Sequence, residues 1–334
     1  MNSRDPYAYL KSLCSNEADI KHIDEIAARR SRIMKGESQD GAAAGSENET
    51  APASLRPLHA SLRPLHLGGF TFYLEKDIAP SSIDTLVEIF QQRSHRRLPG
   101  FSGVVPPTRL GSGKGSGNYK RPGAGVVIDL GANEGFYSLA MLMENPSLRI
   151  IAVEPNPQVY NILCKNVSAN VNIAKEGGNI TPVHTAVTEK EGTMLLQSYP
   201  HLSTISSRDI GIMGQSWIEE SRIQSHRVPA TTLPRLISDY NIDHADILKI
   251  DVEGDELAVL EGVEKIEGLK RFEGIDKSLE PQAFWDRIDR IVVEWHRKDL
   301  KDECISFLTT RGFSLVHEET HRFGDLYFER DSRF

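Results

Sequence analysis

The sequence predicts an α/β fold: a mostly parallel sheet with helices on both faces, finished by a C-terminal antiparallel hairpin. Short apolar runs of strand length recur at 126–130, 149–153, 181–187, 246–251 and 289–294. Helical patterns fall between most of them, at 134–144, 157–171, 232–240 and 254–265. Strands and helices alternating at this spacing argue for a parallel sheet covered on both faces. After a helix near 300–310, Gly312 leads into two segments in which Phe313 and Leu315, then Leu326 and Phe328, alternate with polar residues. That pattern reads as an antiparallel hairpin at the sheet edge.

The elements before residue 126 are fewer. Ile20, Ile23, Ile26 and Ile33 fall near helical spacing, so 18–34 is read as one amphipathic helix. Residues 35–53 are small, polar and low in complexity, and are read as a flexible linker. The tandem "SLRPLHA" and "SLRPLHL" is too short for a solenoid and reads as a local duplication in a loop. A strand is expected at 69–75 and a helix at 81–92, with Ser81 and Asp84 placed as a capping box. "RSHRR" at 93–97 reads as a solvated helix end. "GSGKGSG" at 111–117 lacks the Ser or Thr that a phosphate-binding loop needs after its lysine, and is read as a connection.

The totals exclude several functions. Net charge is −8, which disfavours binding to nucleic acid backbones or anionic membranes. No apolar run approaches the roughly 20 residues that span a bilayer. Cys14, Cys164 and Cys304 are far apart and form no disulfide framework, which suits a reducing compartment. With no signal-peptide core at the N-terminus, a cytoplasmic location is expected and the sequons at Asn48, Asn166 and Asn179 are read as chance matches.

"VVIDLGANEGFYSLAML" (126–142) opens a ligand site, because open parallel sheets bind ligands beyond the carboxyl ends of their strands. A dinucleotide would need glycine where Asn133 stands. Glu134 also places negative charge on the helix N-terminus, where a phosphate would sit. S-adenosylmethionine fits better, since it has no phosphate and carries a sulfonium cation. On this reading Gly131 and Gly135 let the backbone approach the methionine portion, and Asp129 accepts from its ammonium. Glu154 takes the two ribose hydroxyls, while Asn156 and Pro157 cap and start the next helix. A noncatalytic binder of the same ligand and an NAD-dependent oxidoreductase are the alternatives.

The blocks "VIDLGANEGFYSL", "IIAVEPNP", "ILKIDVEGDELAVLEG" and "IVVEWH" together resemble the FkbM-type methyltransferases. The resemblance implies a Rossmann-like class I methyltransferase fold, S-adenosylmethionine as cofactor, and methyl transfer, mostly to a hydroxyl of a small molecule, sugar or secondary metabolite. It covers residues 124–334 as a methyltransferase domain. That leaves 1–66 as an N-terminal helix with a largely disordered tail, and 67–123 as a small strand and helix extension with a linker. Carried over, it makes Asp129, Gly131, Ala132, Asn133, Gly135 and Tyr137 cofactor contacts. Glu154, Pro155 and Asn156 follow at the second strand, Ala186 at the third, and Asp251 and Glu253 at the fourth beside the methyl group. Glu294 and His296 close the fifth.

Methyl transfer to a hydroxyl requires removal of its proton. His296 is the first candidate base, because imidazole titrates near neutrality, and Glu253 is the second; Asp251 completes the expected catalytic group. No metal is expected, although Asp251, Glu253 and Glu294 form a rival Mg²⁺ set. An EF-hand is excluded, because Glu256 stands where its glycine is required. "HEETH" at 317–321 matches a zinc protease motif, but the flanks alternate as strands and zinc binding needs a helix there, so it reads as a hairpin turn.

Overall fold

Short runs that are mostly apolar, without the alternation of a half-exposed strand, become strands buried on both faces, and that is how the centre of this molecule is built. The computed structural model describes residues 5–34, 62–75, 79–92, 94–102, 125–174, 178–199, 202–204, 223–265, 281–319 and 324–331. Strands β3 (Val126–Leu130), β4 (Arg149–Val153), β5 (Asn179–Val183), β10 (Ala245–Ile250) and β11 (Ile288–Trp295) are parallel to one another. The hairpin β12 (Phe313–Glu318) and β13 (Gly324–Arg330) adds two antiparallel strands beside β11. The seven-stranded order is β12-β13-β11-β10-β3-β4-β5, as the sequence predicts in kind.

Helices cover both faces. On one, α6 (Leu233–Asp239), α7 (Glu256–Glu264), α8 (Pro281–Trp285) and α9 (Lys298–Thr309) bury a core around Leu248, Leu260, Trp285 and Ile291. On the other lie α4 (Phe136–Glu144) and α5 (Pro157–Ala169). The side chains of α4 from Phe136 to Leu142 are all buried, because a second layer covers that helix.

That layer is N-terminal: α1 (Ala8–Leu13), α2 (Glu17–Met34), the hairpin β1 (Leu62–Leu67) and β2 (Phe70–Glu75), and α3 (Ala79–Leu86). Its Leu10, Ile23, Leu65, Phe72 and Ile83 form one core with Phe136, Leu139 and Ile150. The second copy of the duplicated heptapeptide is therefore a strand, not a loop, because Leu65 and Leu67 alternate inward and are buried. The first copy lies outside the described residues, as do 35–53, 111–117 and 211–220. Asn166 and Asn170 on α5 clamp the hairpin. Asn166 accepts from the Tyr73 N–H at 2.6 Å, and Asn170 from the Thr71 N–H at 2.9 Å.

Two expectations need correction. The apolar run 181–187 splits: β5 ends at Val183, and Ala186–Val187 form β6 in a different sheet. That four-stranded sheet also contains β7 (Gly192–Tyr199), β8 (Leu202–Thr204) and β9 (Gln224–Thr231). The predicted helix 81–92 changes pitch at Val87, and Val87–Gln92 form a π-helical turn. His317 and Glu318 of "HEETH" lie on β12, so no helical zinc motif forms there.

Candidate functional site

The strand ends of β3, β4 and β10 meet in a cleft, and the backbone around it is forced into unusual conformations. Among the described residues four that are not glycine have positive φ, and three of them are at this site: His95 (60°), Asn133 (51°) and Glu253 (56°). Such residues carry a cost of order 1–3 kcal/mol each and persist where surrounding structure imposes them. Gly131 has φ 74°, and a Cβ there would lie 1.7 Å from the Asp251 carbonyl oxygen. At Gly135 a Cβ would meet Leu163 Cδ1 at 2.6 Å. These glycines thus allow close packing of the turn on its own neighbours, and Gly131 also lines the cleft.

Glu154, at the end of β4, is fixed by two backbone donors. The Asn133 N–H reaches Oε2 at 3.0 Å and the Asn156 N–H reaches Oε1 at 2.8 Å. Burial pushes the carboxyl up to about 7, against the lowering effect of those two hydrogen bonds. Around it, Gly131, Asn133, Pro155, Thr185 and Ala186 wall a cleft of about 680 Å³ whose far side is Asp251 and Glu253. Asn156 faces the helix instead, accepting from the Gln158 and Val159 N–H groups as an N-cap.

Asp129 is not in this wall. It is fully buried, accepts from the Ser138 hydroxyl at 2.6 Å, and lies 3.2 Å from the Lys249 ammonium. Its expected contact with a ligand ammonium is replaced by an internal cation. Lys249 projects from the carboxyl end of β10 and also reaches Asp251 at 3.1 Å and the Gly131 carbonyl at 3.0 Å. Burial would lower its pKa, but Asp129 and Asp251 hold it raised.

Across Asp251 and Glu253 the cleft opens into a larger cavity of about 1610 Å³. Ala132 and Tyr137 line this second space, not the first. The N-terminal layer supplies its other side through Asp84, Glu88 and His95. His95 follows the π-helical turn, a feature common at functional sites. It is buried, not solvated as the basic run around it suggests. Asp325 on β13 grips it twice: the His95 N–H donates to Oδ2 at 2.8 Å, and Nδ1 lies 2.7 Å from Oδ1. Nε2 then points at Glu294 (3.4 Å) and Asp251 (3.9 Å). Burial would lower the imidazole pKa, but the Asp325 carboxylate outweighs it and lifts it to about 9. Asp325 drops to about 2 in return, since His95 overcomes its own burial.

His296 lies behind Glu253 and lines neither cavity. Its Nδ1 is 2.9 Å from Glu256 and its Nε2 is 3.3 Å from Glu253. Burial opposes the charged ring, yet Glu253 and Glu256 raise its pKa well above the ordinary value. Burial lifts Glu253 to about 7, and burial with Asp251 lifts Glu294 to about 8. Of the residues singled out in the sequence, Gly131, Asn133, Glu154, Pro155, Ala186, Asp251 and Glu253 meet in one cleft. Sequence reading missed Lys249, His95 and Asp325. Lysine inside "ILKID" was a signal, because a charge within a buried strand demands partners; nothing local marked His95.

A family model described as the methyltransferase FkbM domain matches residues 129–315. Over 219 residues the chain is 24% identical to the methyltransferase sdnD of Sordaria araneosa, covering 59% of this chain and 76% of that one. It is 28% identical over 221 residues to the 31-O-demethyl-FK506 methyltransferase FkbM of Streptomyces tacrolimicus, covering 60% and 76%. The crystal structure of methyltransferase FkbM from Methylobacillus flagellatus KT aligns with TM-score 0.38 and 18% identity, over 62% of this chain and 43% of that one. His95 and Asp325 fall outside the matched span.

Proposed function

Because the chain belongs to the FkbM methyltransferase family, we propose that it moves the methyl group of S-adenosylmethionine to a hydroxyl oxygen of a small molecule or sugar. One observation carries this reading: the Glu154 cleft and the larger cavity share Asp251 and Glu253 as a common wall, so a donor and an acceptor can meet there. A relative named for 31-O-demethyl-FK506 supports an oxygen acceptor on a small molecule.

S-adenosylmethionine, when bound, supplies a methyl group on a positively charged sulfur. The residues present fit it. Glu154 is a carboxylate whose two oxygens are each fixed by one backbone N–H and keep lone pairs for a ribose diol. Asp251 and Glu253 offer negative charge to a cation at the cleft's mouth. The second cavity orients the acceptor, and positioning supplies much of the rate of a displacement reaction. The proton acceptor proposed here is His95 rather than the expected His296, since of the two only His95 lines a cavity. Asp325 fixes its ring and leaves Nε2 to take the hydroxyl proton. The ligand-free ring, lifted to about 9, carries a proton at neutral pH, so it must lose that proton before it can accept one; a cation in the cleft favours this loss, because like charge disfavours imidazolium.

The test pairs two measurements on the full chain. Calorimetry with S-adenosylhomocysteine is expected to show saturable binding that Glu154→Ala weakens about tenfold or more. Labelled methyl donor and a metabolite extract, followed by mass spectrometry, are expected to yield a methylated hydroxyl. Binding without any methylated product would favour a noncatalytic binder; binding of NADH in place of S-adenosylhomocysteine would overturn the reading.

A further inference from the structure

We propose that the cleft holds one divalent cation of the first transition series, bound by Asp251 Oδ1, Glu253 Oε2 and His296 Nε2. One ligand atom from each of these three residues lies within 4.8 Å of the others. His296 Nε2 is 3.3 Å from Glu253 Oε2 and 3.8 Å from Asp251 Oδ1. Donors bound to one metal at about 2.0–2.2 Å stand about 3–3.5 Å apart, and both distances from His296 lie within a few tenths of an ångström of that range.

Three independent features point to a ligand there. Glu253 Oε2 is buried and accepts no hydrogen bond. A buried carboxylate oxygen left in that state is costly, and a cation satisfies it. Second, the imidazole is oriented as metal-binding histidines are. Glu256, itself fully buried, lies against Nδ1 and is anchored in turn by the Gly254 N–H at 2.9 Å, which leaves Nε2 facing the two carboxylates. Third, Glu253 holds a left-handed backbone at φ 56°, which aims its side chain into the group.

His95, Asp251 and Glu294 form a neighbouring cluster of the same kind. There, however, the Lys249 ammonium already stands 3.1 Å from Asp251 Oδ2 and disfavours a second positive charge. The cation therefore belongs on the opposite oxygen, Oδ1. One imidazole and two carboxylates suit Mn²⁺, Fe²⁺ or Zn²⁺ better than Mg²⁺ or Ca²⁺, which prefer oxygen throughout. Three protein ligands leave open positions, and Asp251 and Glu253 turn them toward both cavities. There the cation would hold an acceptor hydroxyl and ease loss of its proton; this role rests on the methyl-transfer reading, whereas the binding itself does not.

Mn²⁺ titration of the chelator-treated full chain, followed by electron paramagnetic resonance, tests the site. The expected result is one saturable Mn²⁺ per chain, with Zn²⁺ competing. Glu253→Gln and His296→Ala each weaken it about tenfold or more, and His95→Gln leaves it within about threefold. S-adenosylhomocysteine calorimetry on the same samples checks that each variant is folded and reports on the cofactor reading separately. Absence of saturable Mn²⁺ binding at millimolar concentration in the wild type overturns the proposal. So does binding that survives both Glu253→Gln and His296→Ala, or that is lost in His95→Gln alone.

Discussion

Lys249 shows how one residue ties this site together. Its ammonium is buried between Asp129 and Asp251, so Lys249→Met would leave the buried Asp129 and the half-buried Asp251 without their cation. Breaking a buried pair in this way costs about 3–5 kcal/mol, which urea unfolding should register. Glu154 sets a pH dependence. Its carboxyl is raised to about 7, so its contribution to folding is fully present below about 4.5 and is lost as pH rises through 7. Ligand binding runs the other way. A ribose diol needs the ionised carboxylate, so S-adenosylhomocysteine affinity is expected to rise as pH rises through 7, and Glu154→Gln should flatten that profile in calorimetry. His95→Ala is expected to lower turnover at least tenfold while leaving S-adenosylhomocysteine affinity near wild type, measured by initial rates and calorimetry. The acids at the strand ends were legible because each closes an apolar run. His95 was not, since its neighbours Ser94, Arg96 and Arg97 are polar and its burial comes from Asp325 on a distant strand.

At the scale of elements, β3, β4, β10 and β11 could be read because burial on both faces makes each a short, mostly apolar run with few polar positions. Strands β7 and β9 could not. The run "GTMLLQSY" keeps Leu196 inside but leaves Leu195 exposed, so hydrophobicity does not follow burial. Helix α5 was legible through its Asn-Pro start, yet its second task was hidden. Asn166 joins the β2 backbone to the carbonyl of Glu134 at 2.8 Å, and so couples the N-terminal hairpin to the glycine turn. Asn166→Ala leaves a buried N–H unpaired and is expected to cost about 1–3 kcal/mol in chemical denaturation.

For the whole molecule, the matched family span ends short of both edges of the site. Strands β4, β5, β10 and β11 and the Glu154 cleft lie within residues 129–315, but one side of the larger cavity comes from 82–97 and another from 319–325. A chain cut to 124–334 would uncover the buried outer face of α4, where Phe136 packs against Phe72 at 5.6 Å between ring centroids. Such a fragment is expected to aggregate, as light scattering would show. Among the described residues no helix is long and apolar enough to cross a membrane. The grip of Asp325 on His95 joins positions 230 residues apart. During synthesis His95 therefore stays unclamped until β13 has been made, and a nascent chain stalled before that strand would have the Glu154 cleft but no fixed imidazole beside it.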